Sequence, residues 1–165
     1  MNKYKVGYLV GSFSSTSINR LLAKALARLA PPELELSEIP ITDLPIYSQD
    51  YDADFPPVAR AFKKAIADVD AVLFVTPEFN RSIPGGLKNA IDWASRPWGQ
   101  NSFSHKPSGV IGTSPGAIRY GIGTKPAARR VVLLQFTLDE YCRGSHPFQA
   151  WPYHGRWAGY RRADG

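Results

Sequence analysis

The run Ala71-Val72-Leu73-Phe74-Val75 and the eighteen residues after it, Thr76 to Trp93, constrain the fold more than any other part of the chain. The run is apolar, β-branched and aromatic, and predicts a strand buried on both faces. Pro77 ends it by removing a ladder donor. Pro84 predicts the start of a helix, with proline at the first helical position and Ser82 or Ile83 just outside. Leu87, Ala90, Ile91 and Ala94 fall at helical spacing and would face a sheet, leaving Lys88, Asn89 and Asp92 on the other side. Between strand and helix lies a polar loop. In open α/β sheets, loops at the carboxyl end of a central strand are where ligands bind.

The rest of the chain repeats that alternation. Tyr4 to Val10 reads as a first strand, broken by Gly11-Ser12-Phe13-Ser14-Ser15-Thr16-Ser17. A helix capped by Ser17 or Thr16 follows, with Ile18, Leu21, Leu22, Ala25, Leu26 and Leu29 at helical spacing until Pro31-Pro32 stops it. Glu33 to Ile39 is a second strand, Pro40 to Pro57 a long surface loop, and Val58 to Val69 a second helix. After the organising segment comes a fourth strand, Pro107 to Gly112, ending in Thr113-Ser114-Pro115-Gly116. Strands and helices alternating at these spacings predict an α/β doubly wound parallel sheet with helices on both faces. Residues 1–165 are expected to form one domain, with the loops after the first, third and fourth strands gathered at one edge.

Composition narrows the function classes. A chain of 165 residues, 44% hydrophobic and 21% charged, suits a soluble globular domain. No run is long and apolar enough to span a bilayer, and Met1 to Lys5 leads straight into a strand, so a cytoplasmic location is expected. One cysteine, Cys142, forbids an internal disulfide and a cysteine-cluster metal site. The net charge of +6 would ordinarily suggest nucleic acid. Residues 1–118, however, carry 12 Lys and Arg against 11 Asp and Glu, whereas residues 119–165 carry 8 against 3, so the basicity belongs to the tail. Neither nucleic acid nor membrane is an expected partner.

The first loop has the chemistry to hold a phosphate. Hydroxyls of Ser12, Ser14, Ser15, Thr16 and Ser17, the amides entering the helix and the positive end of its dipole converge on one volume. The loop has no lysine, and neither Gly-x-x-x-x-Gly-Lys-Ser/Thr nor Gly-x-Gly-x-x-Gly is present. Neutral donors suit a phosphate monoester; the plainer alternative is a helix cap in a polar turn.

Gly11-Ser12 followed by Ser17-x-Asn19-Arg20 resembles the phosphate loop Gly-Ser-x-Arg-x-x-Ser-x-Asn of the NADPH-dependent FMN reductases, which include bacterial quinone, chromate and azo-compound reductases. Pro77-Glu78-Phe79-Asn80 with Ser82-x-Pro84-Gly85-x-Leu87-Lys88-Asn89-Ala90-Ile91-Asp92-Trp93 resembles that family's flavin loop and dimer helix, and Ser114-Pro115-Gly116-Ala117 its third flavin-contacting loop. The resemblance covers residues 4–118. It implies a flavodoxin-like fold, three-layer α/β/α, binding FMN through Ser12, Ser14, Ser17 and Asn19 in the first loop. Pro77, Glu78, Phe79, Asn80 and Ser82 would serve from the second loop and Ser114 and Gly116 from the third.

The resemblance also implies hydride transfer from NADPH or NADH to FMN and on to a quinone-like or other small acceptor, by ping-pong turnover in a homodimer or tetramer. No catalytic side chain is implied, because the chemistry belongs to the flavin. Two positions depart from the pattern: the family's loop arginine falls at Ser14, and the tyrosine usual after Pro-Glu is Phe79. Both would weaken FMN binding, so a flavodoxin-like binding or scaffold domain with weakened or lost FMN binding is the alternative. Glu78 reads as a loop-organising carboxylate rather than a catalyst. Trp93 and Asp92 are open between packing and solvation on one hand and a subunit contact on the other.

The last third differs. A sheet of this kind calls for a fourth helix and a fifth strand, and the chain offers the apolar run Val131 to Phe136, then Cys142 to Pro147 and Trp151 to Trp157, which are poor core material. A divergent cap, a basic aromatic patch for nucleic acid, a metal site of Cys142, His146 and His154, and a reading-frame shift are the competing readings. The metal site lacks a fourth ligand and a recognised spacing. Codons for Arg119 to Ala128 can be chosen that, read one nucleotide later, give Gly-Met-Ala-Ser-Ala-Gln-Ser-Gln-Gln-His, similar to the family's fourth helix. Phe148 to Gly155 can likewise yield Ser-Arg-Pro-Gly-Leu-Ile-Thr, similar to its C-terminal segment. A frameshift upstream of Arg119 is the expectation adopted.

Overall fold

The computed structural model of the protein describes residues 3–80, 82–114 and 130–135. Its elements are β1 (Tyr4–Val10), α1 (Ile18–Leu29), β2 (Leu34–Glu38), a 3-10 turn (Gln49–Tyr51), α2 (Pro57–Ala67), β3 (Ala71–Val75), α3 (Gly85–Ser95), β4 (Ser108–Ser114) and β5 (Arg130–Gln135). They form one sheet in the order β2-β1-β3-β4-β5. The first four strands are parallel.

The three layers follow from the two-residue period of strands. Leu9, Val72 and Phe74 point to one face and pack with Phe62 and Ile66 of α2 and Leu87, Ala90 and Trp93 of α3. Tyr8, Val10, Leu73, Val75 and Ile111 point to the other, against Ala23, Leu22 and Leu26 of α1. A strand apolar at every position is thus consumed on both sides, the expected consequence of a parallel sheet covered by helices.

Several expectations need correction. Pro84 is the N-cap of α3, not its first residue, so the helix opens on Gly85-Gly86. Leu21 and Leu29 of α1 are exposed, because the helix turns the smaller Ala23 and Asn19 inward. The segment 40–57 is more than a surface loop. Ile41, Leu44 and Phe55 are buried in the α2–α3 core. Trp93 is fully buried (0% exposed), so packing, not a subunit contact, explains it. Its ring meets Tyr47, Tyr51 and Phe55 at centroid distances of 5.2, 5.4 and 5.0 Å. Its indole N–H donates to the Pro45 carbonyl at 2.7 Å. Asn89, expected on the solvated side, donates to the same carbonyl at 2.8 Å and accepts from the Tyr47 amide at 2.9 Å. Asp92 forms an exposed i,i+4 pair with Lys88.

The fifth strand differs too. β5 coincides with the apolar run expected to supply it, but it pairs antiparallel to β4, with Ile111 opposite Leu133 and Thr113 opposite Val131. An antiparallel neighbour needs no helical crossover. The fourth helix expected before it, the candidate metal residues Cys142, His146 and His154, and the aromatic segment 151–157 lie outside the described residues.

Candidate functional site

The chain leaves β1 toward β2 on one side and returns to β3 on the other, so the connections diverge between β1 and β3. At such a switch point the loops part and leave a crevice beyond the carboxyl ends of the strands. A cleft of about 270 Å³ lies there, lined by Ser12, Thr16, Ser17, Ile18, Asn19, Pro77, Glu78, Phe79 and Thr113. A second hollow of about 170 Å³, lined by Gly11, Phe13, Phe79, Pro84, Gly85 and Gly86, shares the Phe79 wall.

The first loop sends Ser12, Thr16 and Ser17 into the cleft. Ser17 is the N-cap of α1, its hydroxyl accepting from the Arg20 amide at 3.2 Å. The capping and cleft-lining readings therefore hold together. The first-turn amides of α1 have no partner within the helix and open on the same side. Ser14 is not among the lining residues. Its hydroxyl lies 3.1 Å from that of Thr16 and accepts from the Thr16 amide at 3.3 Å, which ties the loop to itself. Asn19 is buried, and its carboxamide is spent on the backbone of β4: Nδ2 donates to the Thr113 carbonyl and Oδ1 accepts from the Thr113 amide, both at 2.9 Å.

The second loop forms the facing wall. Pro77, Glu78 and Phe79 line the cleft. Reciprocal hydrogen bonds between the backbones of Phe79 and Ser82, at 2.8 and 2.9 Å, close a tight turn behind them. Asn80 takes φ of 51° in that turn, a conformation asparagine tolerates. Asn80 and Ser82 build the turn and do not line the cleft. Ser114 ends β4 beside the third wall, opposite Arg130 of β5. Gly116 lies outside the described residues.

Two glycines allow the walls to approach. A Cβ at Gly112 would sit 2.1 Å from the Thr76 carbonyl oxygen, so only glycine lets the end of β3 come this close to β4. A Cβ at Gly86 would meet the Phe13 ring at 2.4 Å, so the bare first turn of α3 is what lets Phe13 lie over it.

Thr16, named above only for its hydroxyl in the first loop, lines the cleft, as do Ile18 and Thr113, which had not been singled out as site residues. The hydroxyl-rich loop and the strand-ending Thr113-Ser114 were visible signals; which hydroxyls turn inward depends on the loop's own hydrogen bonds. The donor set fits FMN. Hydroxyls and helix amides suit a phosphate monoester, while Pro77 and exposed Phe79 offer an apolar wall to a flat ring.

The sequence profile of the NADPH-dependent FMN reductases matches residues 4–132. That match continues past residue 118, where the motif resemblance stops. A 2-hydroxy-1,4-benzoquinone reductase of Burkholderia sp is 60% identical over 114 residues, 69% of this chain and 62% of that protein. A quinone reductase of Pseudomonas putida is 52% identical over 140 residues, 84% of this chain and 73% of that protein. Among solved structures, the flavoenzyme NAD(P)H:(acceptor) oxidoreductase FerB of Paracoccus denitrificans superposes with a TM-score of 0.67 at 51% identity, over 70% of this chain and 63% of that one. The chain therefore spans about three fifths to three quarters of the length of these relatives. A profile match over most of its length, together with relatives 51–60% identical, makes this chain a member of the NADPH-dependent FMN reductase family.

Proposed function

We propose that the protein is an FMN-dependent NAD(P)H oxidoreductase that passes reducing equivalents from NADPH or NADH to a quinone-like or other small acceptor. The observation that carries this reading is the cleft at the β1/β3 switch point, where Ser12, Thr16, Ser17 and the start of α1 face Pro77, Glu78 and Phe79. The names of its relatives, quinone reductases of Burkholderia and Pseudomonas, support the acceptor class. Bound FMN would supply the two-electron chemistry that no side chain can.

The chain's own residues bind and orient. The hydroxyls of Ser12, Thr16 and Ser17 and the first amides of α1 hold the phosphate end without a formal charge. Pro77 and Phe79 present an apolar wall to the ring, and the closed turn from Phe79 to Ser82 keeps that wall in place. Ser114 and Gly116 of the third loop are further proposed flavin contacts, and Asn80 and Ser82 act through the turn. Since nicotinamide and acceptor would use one slot in succession, turnover is ping-pong. A cytoplasmic homodimer or tetramer is part of the proposal; exposed Ile46 and Trp98 (82% and 79%) are apolar side chains available for a subunit contact.

FMN titration of the purified protein tests the reading. Quenching of flavin fluorescence is expected, weakened about tenfold by Phe79→Ala, which removes an exposed ring. Ser17→Ala should weaken it as well, with about 1 kcal/mol lost from the cap. Parallel lines are expected in steady-state kinetics with NADPH and a quinone; intersecting lines would exclude ping-pong turnover. One observation favours the alternative of a domain that has lost its flavin: Ser14, at the family's arginine position, is not among the residues lining the cleft and spends its hydroxyl on Thr16. Absence of quenching at high FMN would establish it.

A further inference from the structure

Asn19 is 2% exposed and joins two segments 94 residues apart. Its partner, Thr113, stands at the end of β4, where the ladder to β3 has run out. The Thr76 amide still donates to the Ile111 carbonyl at 2.9 Å. Backbone groups two residues apart on a strand point to the same side. The amide and carbonyl of Thr113 therefore face the position that β3 would occupy next. There β3 has already ended, at Val75, and its ladder with β4 stops at Ile111. The Asn19 carboxamide takes that place, one donor and one acceptor matching one carbonyl and one amide.

We propose that Asn19 is a positioning residue. It locks the first turn of α1 to the end of β4 and so holds the two walls of the cleft, Thr16 and Ser17 on one side and Thr113 on the other, at the separation that FMN requires. Its own polar atoms do not touch the ligand. This inference rests on the flavin reading above but departs from it in assigning Asn19 to the protein frame rather than to the flavin.

A carboxylate and a carboxylic acid separate the two roles. In Asn19→Asp the ionised side chain offers only acceptors, so the Thr113 amide keeps its partner while the Thr113 carbonyl faces a negative charge. Protonation restores one donor and one acceptor in the same geometry. Burial and the facing carbonyl both favour the neutral acid and bring its titration toward neutral pH. FMN and riboflavin titrations and melting temperatures without flavin would be measured from pH 5 to pH 8 for wild type, Asn19→Asp and Asn19→Ala.

The expected result for Asn19→Ala is FMN affinity down by about tenfold or more at every pH. Asn19→Asp should match it at pH 8 and return toward wild type at pH 5, with its melting temperature recovering over the same range. Preference for FMN over riboflavin should fall in both variants at pH 8, which a general loss of folded protein would not cause. Wild-type affinity in Asn19→Ala, or an Asn19→Asp deficit in affinity that does not recover at low pH although the melting temperature does, would overturn the proposal. Wild-type protein that fails to bind either flavin would overturn the flavin reading and the positioning role with it. A pH-dependent melting temperature in Asn19→Asp would then still identify the clamp as structural.

Discussion

Lys63 shows how a single side chain couples burial to pH. Its ammonium donates to the carbonyls of Ala94, Arg96 and Gln100 at 3.0, 2.6 and 2.8 Å, at and beyond the carboxyl end of α3. Burial pushes its pKa down from 10.5 to about 8. In the unfolded chain the group stays charged to higher pH, so between these values the unfolded state binds more protons and stability rises with pH. The rise ends near pH 10. Tyr8 and Tyr47, raised above their ordinary value chiefly by burial, then favour the folded state less as the unfolded phenols ionise. Urea midpoints from pH 7.5 to 10 should therefore increase, and Lys63→Met should flatten the trend. A decrease would mean that the three carbonyls hold the ammonium charged in spite of burial.

At the scale of elements, what could be read from the chain was periodicity, and what could not was pairing across distance. β3 stands where its five apolar residues predicted, from Ala71 to Val75. Ser17 caps α1 as one of two candidates. Asn19, in contrast, is tied to the flavin only through the resemblance of Ser17-x-Asn19 to the family's phosphate loop, and its pairing with Thr113, 94 residues away, is a contact no local pattern discloses. Segment 40–57 looked solvated because its prolines and acids hide Ile41, Leu44 and Phe55. Its polar residues turn out to be anchors. Arg96 donates to the Tyr47 hydroxyl at 2.9 Å and pairs with Asp52, which holds the Asp52 carboxyl below its ordinary pKa. The closeness of β3 to β4 was equally invisible, since Gly112 matters only through the Thr76 carbonyl it admits. Gly112→Ala should cost about 1–3 kcal/mol through overpacking, a melting temperature lower by roughly 2–4 °C per kcal/mol. FMN affinity should fall with it, because Thr76 leads directly into the second loop. An unchanged melting temperature would show that the strand ends separate freely.

For the whole molecule, the decisive region is the far side of β4. A parallel strand left without a neighbour exposes a row of backbone donors and acceptors; β5 covers that edge with Arg130–Gln135. The family match reaches residue 132, inside this strand. The frameshift expectation concerns the residues around it, and sequencing the gene across codons 110–130 decides it. If a nucleotide is missing or added, the restored frame should raise both melting temperature and FMN occupancy; an intact frame with a cooperatively folded, flavin-bound protein would make the tail a genuine element. The cleft itself carries a broader consequence. No cation stands among the described residues that line it, and Arg20, on the first turn of α1, is paired with Glu38. Attraction through dipoles and hydroxyls is short in range, so salt screens little of it. Loading with flavin would then depend little on ionic strength, so FMN affinity should change little between low and high salt.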